Sequence, residues 1–186
     1  MQTRRLPTDT PLLHWQRFER VLEWDRACAV LLNSRLSPSY EKLWITIDRL
    51  GDSGPWIAFI AIVALLGGPQ GLRCAAHMLA VGVLAVVVYK LVKNCAGRPR
   101  PCVRIENVRN CIEPLDEFSF PSGHTLHAVA FSLVALAYFP ALAYGLLPFI
   151  VLTAVSRIAL GLHYPSDVFA GAAIGAGAAL TTFLLF

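Results

Sequence analysis

FSFPSGHTLHAVAFSLVALAYFPALAYGLLPFIVLTAVS, residues 118–156, runs for 39 residues without an Asp, Glu, Lys or Arg. A membrane span takes about 20 apolar residues, so this stretch is too long for one crossing and reads as two helices broken near Pro140. Outward from it the pattern repeats. Ser53–Leu72 is an uncharged run of 20 residues ending in a Gly-Gly-Pro turn, and Cys74–Tyr89 is a second, with Lys90 and Lys93 beyond it. Val168–Phe186 is the last, with Gly171 and Gly175 spaced so that two helices can approach closely. Five spans are therefore expected in an all-α, integral membrane helical bundle.

Composition agrees. Of 186 residues 56% are hydrophobic and 15% charged, against about 25% charged in an average soluble domain, and the mean hydropathy is +0.57. These values exclude disorder, collagen and a disulfide-rich secreted scaffold. The charges are unevenly spread. Residues 1–52 hold eight Lys/Arg and seven Asp/Glu, whereas residues 118–186 hold only Arg157 and Asp167. A charge inside an apolar stretch is costly and marks a functional site by default. The expected division is 1–52, amphipathic and interfacial helices, and 53–186, a membrane-embedded core. Residues 12–34 and 39–51 are the amphipathic segments, and the first suits either the membrane interface or packing on the bundle. Arg4 and Arg5 precede Pro, Asp and Glu, which is not a signal-peptide shape.

Alternating spans bring three polar clusters to one membrane face: Lys93–Pro101, Pro121–His124 and Ser156–Asp167. Lys93, Arg100 and Arg157 are cations suited to phosphate oxygens. Ser122 and the Gly123 amide, opening a helix, add neutral donors. His124 and His163 supply a base or nucleophile and an acid. Asp167, four residues after His163, can hold the imidazole tautomer. Together these are the parts of a phosphoryl-transfer site that needs no metal and no cofactor. The net charge of +4 suits anionic headgroups, and no basic stripe interleaved with aromatics points to nucleic acid.

Lys93-x6-Arg100-Pro101, Pro121-Ser122-Gly123-His124 and Ser156-Arg157-x5-His163-x3-Asp167 resemble the signature of the type 2 phosphatidic acid phosphatase family of lipid phosphatases, with every position filled in order from about Leu50 to Phe186. The resemblance implies that His163 attacks phosphorus to form a phosphohistidine and that Asp167 orients it. His124 would protonate the leaving oxygen and then activate water. Lys93, Arg100, Ser122, Gly123 and Arg157 would bind the phosphoryl oxygens. It implies a phosphorylated lipid as substrate, with undecaprenyl diphosphate favoured over phosphatidylglycerol phosphate, phosphatidic acid and lipid A, or transfer of the phosphoryl group to a second lipid. It also implies a bacterial inner membrane with the site on the periplasmic face, whereas positive-inside counting over the N-terminal arginines and the basic loop points to the opposite face.

Other residues read more plainly. His14 and His77 are expected to be structural, and His127, three residues after His124, lacks the carboxylate or Cys that a metal site needs at matching spacing. Arg98 either touches substrate or stays solvated. Arg104 and Arg109 are expected to be loop charges, and Trp56, Phe118 and Tyr164 interfacial aromatics. Cys102 and Cys111 share a loop and are either free thiols or a disulfide.

Overall fold

The computed structural model describes residues 19–114 and 116–186. His14 and the first turns of the 12–34 segment lie outside them. Among the described residues the regular structure is helical: α1 (Glu19–Arg35), α2 (Pro38–Leu50), α3 (Ser53–Leu66), α4 (Gly68–Ala96), α5 (Pro101–Arg104), α6 (Gly123–Tyr138), α7 (Ala143–Ala159) and α8 (Pro165–Thr182), with a 3₁₀ turn at Pro140–Leu142 where the long uncharged stretch breaks. The protein is a membrane helical bundle. Apolar helices α3, α4, α6, α7 and α8 stand where the five spans were expected. By length and composition Gly68–Ala96 and Pro140–Ala159 each suffice to cross a bilayer, and 39–50 with 53–66 passes the same test as a pair bent by 55°.

One boundary differs from expectation. The Gly-Gly-Pro sequence both closes α3, at Gly67, and begins α4, so the first span ends at Leu66 and not at Leu72. Pro69 lies in the first turn of α4, where a missing N–H costs nothing. Arg73 therefore sits exposed within α4 instead of between two spans.

Two aromatics also depart from the interfacial reading. Trp56 is buried, with its ring centroid 5.0 Å from Phe131 and 5.7 Å from Phe149. Tyr164 is buried beneath the Arg98 guanidinium, which lies 4.0 Å from its ring centroid. Both large rings gain more by filling core volume than by lying in the headgroup layer. His77 is structural as expected, with Nε2 2.9 Å from Thr182 Oγ1 and Nδ1 3.3 Å from the Tyr138 hydroxyl. Cys102 and Cys111 are free thiols.

α6 and α8 form the most extensive helix pair of the bundle, and glycines there let backbone meet backbone. A Cβ on Gly171 would lie 2.5 Å from Ser122 O, and one on Gly175 would lie 2.3 Å from Leu126 O. Gly175→Ala should therefore destabilise the bundle by about 1–3 kcal/mol, the usual cost of overpacking. Gly177→Ala, where a Cβ meets nothing within 4 Å, should leave the thermal midpoint in detergent unchanged. Equal midpoints for the two variants would contradict this packing.

α1 and α2 lie against α7, and α1 also against α8. α1 is thus packed on the bundle, with Asp25 fully buried and Trp24 stacked on Phe169 at 6.4 Å between centroids.

Candidate active site

Two left-handed glycines turn the motifs inward. Gly97 (φ 55°) ends α4, its N–H bonding Lys93 O, so that Arg98 and Arg100 leave the helix axis. Gly161 (φ 77°) follows α7 and lets the chain double back, so that the His163 N–H bonds Arg157 O at 3.0 Å. A side chain at either position would be strained. The Ser122 N–H donates to Asp167 O at 3.0 Å, which ties the start of α6 to the start of α8. The three clusters therefore converge as expected.

His163 is at the centre, almost fully buried. Its Nε2 lies 3.3 Å from Arg100 Nη1 and 3.3 Å from Arg157 Nη2. Guanidinium nitrogens only donate, so Nε2 must carry a lone pair and the ring proton belongs on Nδ1. Burial and the charges of Arg157, Arg100 and Lys93 hold the imidazole well below its ordinary value, which keeps it neutral. Nδ1 faces Asp167, whose Oδ2 is 3.7 Å away.

Asp167 is fixed from two sides. Oδ2 accepts from the Tyr164 N–H at 2.8 Å, capping the first turn of α8. Oδ1 accepts from Arg98 Nη1 at 2.5 Å. Arg98 also donates to Ser166 Oγ at 2.7 Å and, through Nη2, to Asp25 Oδ2 at 2.6 Å. Arg98 is thus neither solvated nor aimed at the Nε2 side of His163. It is a buried strut that joins α1 to Asp167.

The cations are held by carboxylates outside the signature. Lys93 Nζ and Arg100 Nη2 grip the two oxygens of Asp116 at 2.5 Å and 2.6 Å, and the Tyr89 hydroxyl donates to the same carboxylate at 2.8 Å. Burial pushes the Asp116 carboxyl up, but Lys93, Tyr89 and Arg100 together hold it below the ordinary value. Arg157 Nη1 pairs with Asp48 of α2. Its Nε is buried and has no hydrogen-bond partner among the described residues. An unmade guanidinium bond in the interior is expensive. Ser122 is fully buried, its hydroxyl 3.0 Å from Thr125 Oγ1. Gly123 lies against the Tyr89 ring, where a Cβ would come within 3.0 Å of Cε2.

His124, the second residue of α6, has Nε2 3.0 Å from Asp52 Oδ1 at the α2–α3 corner. Burial and neighbouring Asp48 raise the Asp52 carboxyl above its ordinary value, against Arg157 and Arg49. His127 Nδ1 is 2.8 Å from Gly123 O. Among the described residues no three His, Cys, Asp or Glu side chains group closely enough to hold a metal ion. Beside His127 an apolar groove of about 390 Å³ opens between α3, α4 and α6, lined by Ser53, Trp56, Ile60, Gly82 and Phe131 among others.

Arg109 is the loop charge expected and also a structural tie, donating through Nη2 to Leu36 O at 2.6 Å and from its N–H to Asn33 Oδ1 at 2.8 Å. Asp25, Asp48, Asp52 and Asp116 are the site residues that reading the motifs misses.

A family profile described as PAP2 superfamily matches residues 71–186. A lipid A 1-phosphatase of Rhizobium johnstonii is 27% identical over 160 residues, which are 75% of this chain and 65% of that protein. The undecaprenyl-diphosphatase BcrC of Bacillus subtilis is 34% identical over 104 residues, 56% of this chain and 53% of that protein. The chain thus spans about half to two thirds of the length of these relatives. The crystal structure of a transmembrane PAP2-type phosphatidylglycerolphosphate phosphatase from Bacillus subtilis superposes with a TM-score of 0.72 at 22% identity, covering 89% of this chain and 86% of that one.

Proposed function

The chain belongs to the PAP2 superfamily, and on that premise we propose that it is a membrane lipid phosphatase working through a covalent histidine intermediate. The observation that carries this reading is the position of His163 Nε2, unprotonated between Arg100 and Arg157.

In the first half-reaction the Nε2 lone pair attacks phosphorus. Arg100, Arg157 and Lys93 hold the phosphoryl oxygens and balance their charge, with Ser122 and the Gly123 amide beside them. The bond to the leaving oxygen breaks, and His124 gives that oxygen a proton. In the second half-reaction His124 takes a proton from water, the water oxygen attacks phosphorus, the N–P bond breaks and inorganic phosphate leaves. Asp167 balances the partial positive charge that the His163 ring carries while phosphorylated. Every step uses side chains of this protein.

A lipid substrate is supported by the apolar groove beside His127, one turn beyond the proposed acid. Undecaprenyl diphosphate is the favoured substrate, in keeping with the name of the BcrC relative. The same reading assigns a bacterial inner membrane with the site on the periplasmic side, and labelling a variant that keeps only Cys102 with an impermeant maleimide in intact cells tests that side.

The test of function is phosphate release by the purified full chain in detergent, with EDTA, from undecaprenyl diphosphate, phosphatidylglycerol phosphate, phosphatidic acid and lipid A. Release from at least one, blocked by vanadate, is expected. No release from any, or phosphorylated lipid product without free phosphate, would overturn hydrolysis.

A further inference from the structure

We propose that Asp52, at the corner between α2 and α3, is the positioning residue of His124, holding its imidazole through Nε2 and directing Nδ1 to the leaving oxygen and then to water. The proposal rests on the phosphatase reading and extends it to a residue outside the family match and outside the three motifs.

Three observations carry it. Asp52 is the N-cap residue of α3, with extended backbone (φ −67°, ψ 166°), yet its side chain makes no cap hydrogen bond. An Asp at that position ordinarily accepts from the amides of its own first turn. Here the carboxylate is turned across to α6 instead, 3.0 Å from His124 Nε2. The residue before it is Gly51, where a Cβ would lie 2.9 Å from His124 Cδ2 and 3.1 Å from Asp48 O. The corner is therefore pressed against this imidazole as closely as the backbone allows. Asp48, one turn earlier on α2, pairs with Arg157, so the same corner fixes both a phosphate-binding cation and the acid.

The chemistry follows from the tautomer. With Nε2 paired to a carboxylate, Nδ1 is the nitrogen left to exchange protons with substrate. When the imidazolium gives its Nδ1 proton to the leaving oxygen, the neutral ring keeps Nε2–H on Asp52. When Nδ1 takes a proton from water, the positive charge that returns to the ring stands beside the carboxylate. The charged groups around Asp52 are Asp48 and Arg49 of α2, Arg157 of α7 and His124 of α6, and the titratable and charged groups that face His124 besides Asp52 are Arg157 of α7, His163 before α8, His127 of α6 and Arg100 after α4. Substituting Asp52 alone removes the charge at Nε2 and leaves the ion pair between Arg157 and Asp48 in place.

Asp52→Asn and Asp52→Ala, made in the full chain, should lower kcat on a lipid alkyl phosphate about 10- to 100-fold with KM within twofold, the scale seen when a partner that orients a catalytic group is lost. The alkaline limb of kcat should move to lower pH, and Asp52→Glu should recover part of the loss. p-Nitrophenyl phosphate provides the contrast, since p-nitrophenolate departs without a proton. Its first-turnover burst should survive in Asp52→Asn while later turnovers slow. A kcat within twofold of wild type, or equal loss in the burst and on the alkyl phosphate, would overturn the proposal. Histidine ¹⁵N spectra of the solubilised protein give a readout free of activity: the tautomer of His124 should change in Asp52→Asn while that of His163 does not. An unchanged His124 would refute the contact. Wild-type protein inactive on every lipid would refute the phosphatase reading alone, with the spectra still deciding on Asp52.

Discussion

His163→Ala should abolish phosphate release, with a loss of roughly 10⁴-fold or more, while the protein stays folded. Removing a nucleophile that acts together with its acid and its anion-binding groups typically costs that much, because the remaining groups keep only a residual rate over water. The folded state should survive because His163 sits between donors that have other partners. Arg100 Nη1 also donates to Leu162 O at 2.8 Å, and Arg157 keeps Asp48. The variant should still bind vanadate or inorganic phosphate through Lys93, Arg100 and Arg157, so binding and turnover should separate. The wild-type protein should also keep its nucleophile in mild acid. Because burial and three cations hold His163 well below the ordinary imidazole value of 6.5, the acid limb of kcat/KM should lie below pH 6.5. Activity retained in His163→Ala would end the covalent mechanism, and an acid limb above pH 6.5 would contradict the neutral Nε2.

Arg98→Leu should be the most damaging substitution for stability, at about 3–5 kcal/mol, the range found when one partner of a buried ion pair is removed. Arg98 serves two carboxylates at once, Asp25 and Asp167, whose side chains are both 0% exposed. Leucine fills the volume but strands two buried anions. Asp25→Asn in the Arg98→Leu background should restore part of the loss by removing one of them, which is the signature of an ion-pair effect rather than a packing effect. Arg98→Lys should be milder, since it keeps the charge but lacks the fork that reaches both partners. Unfolding midpoints in detergent measure all three. A loss below 1 kcal/mol in Arg98→Leu would show that the pair is not needed.

The helices were legible because apolar run lengths and charge positions both respond to the bilayer. The break at Pro140 and the small-residue seam at Gly171 and Gly175 needed nothing else. The Gly-Gly-Pro turn is legible as a turn, but not the start of α4 directly behind it, because Gly67 ends one helix and opens the next and Gly71 packs against Val63. In the site, Lys93, Arg100, His124, Arg157, His163 and Asp167 were legible because fixed spacing around glycine and proline turns brings them together. Their counter-ions were not. Asp25 and Asp48 sit in amphipathic helices among ordinary surface charges, and Asp116 lies in a loop with three other acids. No periodicity distinguishes a carboxylate that crosses to another helix from one that faces solvent. Asp52 left one faint mark, an N-cap Asp directly after a glycine. Arg98 was ambiguous for the same reason: whether a charge is solvated depends on partners 69 and 73 residues away.

The family match begins at residue 71, yet Asp25, Asp48 and Asp52 all precede it. A chain cut there would retain every motif residue and still lose the counter-charges of Arg98, Arg157 and His124. The unit that is recognisable by descent is thus smaller than the unit that is electrically neutral inside. For this bundle the second includes α1 and α2, which supply Asp25 and Asp48, as fully as it includes the spans.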